Sequence, residues 1–369
     1  MIKLSPQQDQ AIMAVKRWFE DPHKDQVFRL MGFAGTGKST LASLFAEGID
    51  GKVRYAAYTG KAALVMKTKG CHNAQTIHSL IYNLDEDMER YGDELRFVIN
   101  NASPVANAAL VIVDEVSMVG EALAKDLLSF GTPVLVLGDQ FQLPPVNVEG
   151  YFTEHKPDVM LTEIHRQALE NPIIKMSMDV REGRGLQLGT YGDSKVINAR
   201  DVNVGMAKNA DQILVGKHVT RKAKNATMRN VLGYKGTLPV AGDRLVCLKN
   251  NKDKMFLNGA MWRVDTAQDS DTPGHQFMEL TPIDAGTNKN QEAKVHNWFF
   301  EGRENDIDRW IKRDCDHFDY GYAITVHKSQ GSQWDDVLLY DESSVFREDA
   351  ARHLYTGITR AAERITVAR

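Results

Sequence analysis

The sequence predicts an α/β protein built on parallel sheets, and three observations carry that expectation. Apolar runs at 27–31, 52–57, 110–113 and 133–137 alternate with segments that are apolar at helical spacing. Each run ends in glycine or polar residues: Gly32, Thr59-Gly60-Lys61, Asp114-Glu115 and Gly138-Asp139. Strands covered on both faces read this way, and ligands bind outside their carboxyl ends. A second series of runs at 212–215, 337–340 and 364–367 indicates a second α/β domain. Finally, the first run leads into Gly32-Phe33-Ala34-Gly35-Thr36-Gly37-Lys38-Ser39, followed by Leu41, Ala42, Leu44, Phe45 and Ala46 at helical spacing.

That Gly-x4-Gly-Lys-Ser pattern between strand and helix is a nucleoside-triphosphate loop. A helix starting there turns its first N–H groups and positive dipole end toward phosphate. The glycines let the backbone wrap the anion, and Lys38 adds charge toward its β/γ end. Gly35, Thr36, Gly37, Lys38, Ser39 and Thr40 are therefore the nucleotide-binding candidates.

Taken in order, Ser5 caps a first helix with Pro6 at its first position and Gln8 completing a capping box. Ala11, Ile12, Val15, Trp18 and Phe19 form its apolar side. Residues 82–105 interrupt the first domain; Gly92-Asp93 between two mixed runs fits a protruding hairpin, while a helical reading stays open. Residues 234–309 differ in texture, with short strand-like runs at 243–248, 256–264 around Asn258-Gly259, 277–280 and 295–300. The expected domains are 1–165, then 166–233 with 310–369, with 234–309 inserted as a small β module.

With 369 residues, 43% hydrophobic and 25% charged, the chain is long enough for two or more cores. A net charge of −4 gives no global basic field, so any nucleic-acid contact must come from a local groove. Cys71, Cys247 and Cys315 are isolated and odd in number, which argues for a reducing compartment and against a disulfide framework or a structural zinc site. No apolar run approaches membrane-spanning length, and the first residues do not read as a signal peptide. The cytoplasm is the expected location, a host's cytoplasm if the gene is a phage's.

Phosphoryl transfer needs a metal between the β and γ oxygens and a group that orients the attacking water. Asp114 with the Ser39 hydroxyl can hold Mg²⁺, and Glu115 can orient water. Gln142, on the loop after the next strand, can touch the γ-phosphate through its amide.

Beyond these, an ordered set of motifs resembles superfamily 1 DNA helicases of the RecD and phage Dda type. The set comprises the phosphate loop, Thr59-Gly60-Lys61-Ala62-Ala63, Thr76-Ile77-His78-Ser79, Asp114-Glu115 and Gln142-Leu143-Pro144-Pro145. It continues with Leu161-Thr162-Glu163-Ile164-His165-Arg166-Gln167, Thr325-Val326-His327-Lys328-Ser329-Gln330-Gly331 and Tyr355-Thr356-Gly357-Ile358-Thr359-Arg360-Ala361. The resemblance implies two RecA-like parallel-sheet domains, with a β-hairpin insertion in the first and an SH3-like β-barrel in the second. It implies an ATP- and Mg²⁺-dependent helicase moving 5′ to 3′ on single-stranded DNA and acting at duplex junctions. Single-strand-binding, replication or recombination proteins are its expected partners, and a monomer its expected state. By the same resemblance Arg166 and Arg360 are arginine fingers and Gly331 lies on a nucleotide-contacting loop. Gln8 contacts adenine, as an alternative to its capping role. Thr59, Lys61, Thr76, His78, Thr325, His327 and Lys328 touch the DNA backbone, and Tyr91 or Phe97 stacks on a base at the fork. Lys217, His218, Arg221, Lys222, Lys224 and Arg229 either extend that groove or form a solvated helix face. The rival readings are a nucleotide-switched DNA-binding ATPase and a recombination-complex subunit that does not unwind by itself.

Overall fold

The computed structural model describes residues 4–84, 97–145, 149–163, 171–251, 253–283 and 290–369. Two compact units emerge, 1–186 with 351–359 and 187–350 with 360–369.

The first unit runs α1 (Pro6–Glu20), β1 (Val27–Gly32), α2 (Lys38–Phe45), β2 (Val53–Ala57), α3 (Gly60–Thr68), β3 (Gln75–Thr76) and α4 (Ile77–Ile81). There follow β4 (Tyr82–Leu84), β5 (Phe97–Ile99), β6 (Leu110–Asp114), α5 (Glu121–Leu128), β7 (Val134–Gly138), β8 (Val159–Leu161) and α6 (Pro172–Arg181). Six strands form one parallel sheet in the order β3-β2-β6-β7-β1-β8. Alternate residues of its strands feed two cores. Leu30, Leu110, Ile112, Leu135 and Leu137 pack with Ala11, Val15, Leu41 and Met66 on one face, and Val111, Val113, Val134 and Val136 pack with Ile77, Leu80 and Leu127 on the other. Burial on both faces explains why these strands read as continuous apolar runs.

Within 82–105, β4 and β5 pair antiparallel with Leu84 opposite Phe97. Tyr91 and the rest of 85–96 lie outside the described residues.

The second unit contains β9 (Gly189–Tyr191), β10 (Ser194–Ile197), α7 (Val204–Asn209), β11 (Gln212–Val215), α8 (His218–Val231), β12 (Arg244–Cys247), β13 (Met261–Asp269), β14 (His275–Pro282) and β15 (Gln291–His296). After α9 (Trp298–Glu301) and α10 (Arg309–Arg313) come β16 (Phe318–Tyr320), β17 (Ala323–Thr325) and β18 (Trp334–Tyr340). The chain then forms α11 (Ala350–Ile358), of which 351–358 belong to the first unit, and ends in β19 (Ala361–Ala368). The second sheet has the order β17-β11-β18-β19-β10-β9, parallel except for the edge strand β9. An antiparallel sheet, β15-β14-β13-β12-β16, accounts for the different texture of 234–309.

Boundaries differ from the sequence reading in two places. The units divide after Leu186 rather than at 165, because α6 buries Ile173, Met176 and Val180 and lays the Arg181 guanidinium 3.7 Å from the Phe33 ring centre. The antiparallel sheet takes β16 from beyond residue 309, pairing Leu245 with Tyr320, and its Trp262, Leu280 and Phe318 share one core with Ile213, Val215 and Leu338 of the parallel sheet. The run at 295–300 is also not one strand, since β15 stops at His296 and α9 follows.

Candidate nucleotide-binding site

Register aligns the carboxyl ends of the first sheet. Ala57 pairs with both Thr76 and Asp114, Val113 with Val136, and Gly138 with Met31. Neighbouring strands lie about 4.8 Å apart, so the edge from Thr76 through Asp114 and Asp139 to the phosphate loop spans roughly 20 Å. The sheet thus brings the candidates at Thr59, Thr76, Asp114, Glu115, Gln142 and 35–40 to one edge.

The phosphate loop has the backbone its glycines permit, with Gly35 at φ 81° and Gly37 at φ 80°. The Lys38 ammonium donates to Gly32 O at 2.6 Å and Phe33 O at 3.0 Å, and the buried Thr36 hydroxyl donates to Phe33 O at 2.8 Å. Ser39 lies in the first turn of α2. Gln8 completes the capping box with Ser5 and also donates from Nε2 to Thr36 O at 3.0 Å, tying α1 to the loop.

Asp114 is 5% exposed and its Oδ1 accepts from Glu115 N at 2.8 Å. Glu115 has φ 55° and ψ 45°, left-handed backbone that costs a non-glycine residue about 1–3 kcal/mol and is concentrated at functional sites. Gln142 is 7% exposed, and among the described residues its Oε1 meets no hydrogen-bond partner. A buried acceptor of this kind is costly unless something else satisfies it.

Residue types and placement fit a nucleoside triphosphate with a divalent cation. The loop and Lys38 suit phosphate, and the Ser39 hydroxyl with the Asp114 carboxylate suits a hard cation that takes its remaining oxygens from phosphate and water. Among the described residues no group of three His, Cys, Asp or Glu could hold a metal alone.

Four participants escaped sequence reasoning. Gln7 accepts through Oε1 from Thr162 N and Glu163 N, both at 2.8 Å, holding the start of the motif that contains Arg166. Asp139, Tyr355 and Thr356 form a buried network around the Gln142 loop. Burial, then the Asp139 charge, pushes the Tyr355 phenol well above its usual range and keeps it a donor. The motif strings contain Tyr355 and Thr356, but no spacing rule pairs them with positions more than 200 residues away.

Among the polynucleotide candidates, Thr59 and Thr76 cap α3 and α4 through their hydroxyls, and Lys61 lies in the first turn of α3. His78 stands between the Tyr58 and Tyr82 rings, 6.2 and 5.7 Å between centres. In the second unit Thr325 is buried at the end of β17, His327 packs on Phe346, and Lys328 donates to Asn258 Oδ1. Gly331 has φ 73°. Arg360 is buried there and donates to Ser332 O at 3.2 Å. Arg166 lies outside the described residues.

The basic stretch on α8 is largely paired locally. Arg229 is buried against Asp243, Arg221 meets Asp319, Lys217 meets Glu342, and Lys224 lies over the Tyr340 ring. Neither the groove nor the solvated face describes Arg229.

Burial lowers the His78, His317 and His327 pKa values below 6.5, so these rings fold neutral. Their stabilisation is complete above the unfolded value and lost as pH falls through 6.5 toward the folded values. Denaturant titrations should therefore show stability falling on acidification below pH 6.5, with a smaller fall in His317→Gln.

Loop, cation-compatible carboxylate and parallel sheet together define a P-loop nucleoside-triphosphate-binding protein. The AAA domain family profile matches residues 3–201, more than half the chain, and a UvrD-like helicase C-terminal domain profile matches 320–368. The chain belongs to this AAA domain family. It is 28% identical over 372 residues to the ATP-dependent RecD2 DNA helicase of Deinococcus radiodurans, covering 91% of this chain and 46% of that protein. With the ATP-dependent DNA helicase Pif1 of Bdellovibrio bacteriovorus it shares 23% identity, covering 91% and 81%. The chain spans about half the length of the RecD2 relative. A Bacteroides Pif1 helicase solved with ADP-AlF3 and ssDNA shares the fold, with TM-score 0.59, 16% identity, and coverage of 100% of this chain and 93% of that one. No helix among the described residues is long and apolar enough to cross a membrane.

Proposed function

We propose that the chain is an ATP- and Mg²⁺-dependent DNA helicase that moves 5′ to 3′ on single-stranded DNA and opens duplexes at junctions. The observation that carries this reading is the aligned sheet edge: phosphate loop, Asp114-Glu115 and the buried Gln142 acceptor at one end, and Thr59 and Thr76 at the other. Family membership and the DNA-helicase relatives support DNA as the polymer.

In this reading the loop amides and Lys38 bind the triphosphate, and Ser39 and Asp114 would hold Mg²⁺. When bound, the cation neutralises charge between the β and γ oxygens. Glu115 orients the attacking water and accepts its proton, while Gln142 hydrogen-bonds at the γ-phosphate end. Gln8 buttresses Thr36 and, by resemblance to the family, would contact adenine. Arg166, Arg360 and Gly331 complete the nucleotide contacts, by resemblance to the family.

Thr59, Lys61, Thr76, His78, Thr325, His327 and Lys328 grip the strand backbone, which makes binding sequence-independent and salt-sensitive. The histidines contribute as neutral groups. The antiparallel sheet serves as the SH3-like clamp of Dda-type helicases, and the β4–β5 hairpin as a strand-separating pin. Replacing both Tyr91 and Phe97 with Ala should reduce duplex separation at least several-fold more than single-strand translocation; equal loss of both removes the pin.

The function is tested by unwinding matched duplexes that carry a 5′ or a 3′ single-stranded tail, with and without ATP. Opening only of the 5′-tailed substrate with ATP is expected. Opening of the 3′-tailed substrate alone refutes the polarity, and DNA-stimulated hydrolysis with neither substrate opened favours a nucleotide-switched DNA-binding ATPase.

A further inference from the structure

Two loops of the hydrolytic site hang on α11. The Tyr355 hydroxyl donates to Asp139 Oδ2 at 2.6 Å and accepts from Ala34 N of the phosphate loop at 2.9 Å. Asp139 Oδ1 accepts from Phe141 N at 3.0 Å, and the Phe141 ring stands edge-on to the Tyr355 ring at 5.1 Å. One residue on, the Thr356 hydroxyl accepts from Leu143 N at 3.0 Å. Gln142 is thus fastened on both sides, at Phe141 and Leu143, by adjacent residues of one helix. Asp139 and Tyr355 are each 1% exposed and Thr356 0%, so water does not stand in for these bonds.

We propose that Tyr355 is a positioning residue for hydrolysis: its hydroxyl sets the spacing between the phosphate loop and the loop that presents Gln142. The proposal rests on the reading of 32–39 as the ATP site. The hydroxyl links the two loops directly, touching one through a backbone N–H and the other through a carboxylate. Aromatic packing holds the ring; the hydroxyl fixes the register. Small displacements at a reacting centre cost rate much more than affinity.

The test is a double-mutant cycle. Tyr355→Phe keeps the ring and should lower kcat for ATP about 5- to 20-fold while changing affinity for a fluorescent ATP analogue less than about 3-fold. In a Gln142→Ala background the same change should cost less than about 2-fold, because its effect passes through Gln142. A merely structural role would multiply the two losses. Thr356→Val, at the second fastening of the same loop, should behave alike and serves if Tyr355→Phe folds poorly, as judged by thermal unfolding. Unchanged kcat in a folded Tyr355→Phe, or full multiplication in the Gln142→Ala background, overturns the proposal. A wild-type chain that neither binds nor hydrolyses ATP overturns the nucleotide-site reading and the proposal together.

Discussion

Glu115→Gln should lower ATP turnover by about 10²- to 10⁴-fold, the range contributed by a positioned general base, while nucleotide binding is retained. The substitution keeps the side chain's size and its left-handed backbone, at φ 55°, and removes only proton-accepting capacity. It is checked by steady-state hydrolysis beside equilibrium binding of a fluorescent ATP analogue. Lys38→Ala provides the contrast, since losing the ammonium at the loop removes hydrolysis and weakens binding as well. Wild-type-like turnover in Glu115→Gln would move the proton-accepting role to another group.

Asp243→Ala should destabilise the second unit by about 3–5 kcal/mol, the usual cost of breaking a buried ion pair from one side. The Arg229 and Asp243 side chains are 5% and 0% exposed. Arg229 donates to both carboxylate oxygens and stands over the Tyr320 ring at 4.5 Å, while Tyr322 donates to Asp243 Oδ1 at 2.9 Å. Truncating Asp243 strands a guanidinium in the core between α8 and the antiparallel sheet. Denaturant unfolding of the single variant and of Arg229→Met with Asp243→Leu checks this. The double replacement should recover most of the loss, because it leaves no unpaired buried charge. A loss below about 1 kcal/mol in Asp243→Ala would show that the guanidinium finds water, and that this junction is looser than its burial indicates.

Residues such as these mark the limit of sequence reading. In the sequence Arg229 is one more cation in a basic helix, and nothing local distinguishes it from Lys222. Its pairing with Asp243 follows from the packing of α8 against the start of the antiparallel sheet. The same holds for Tyr355, whose hydroxyl meets Asp139 and Ala34.

What the sequence determined by itself is local: the capping box of Ser5 and Gln8, the apolar strands, the loop whose glycines take positive φ, and the carboxylates at strand ends. Periodicity, caps and backbone restrictions act over a few residues, so composition and spacing suffice to specify them. Tertiary structure decided which distant groups meet: the division after Leu186, the recruitment of β16, the burial of Arg229 and the fastening of the Gln142 loop to α11. These depend on side-chain packing between elements far apart in the chain, and no periodicity in the sequence encodes such pairings.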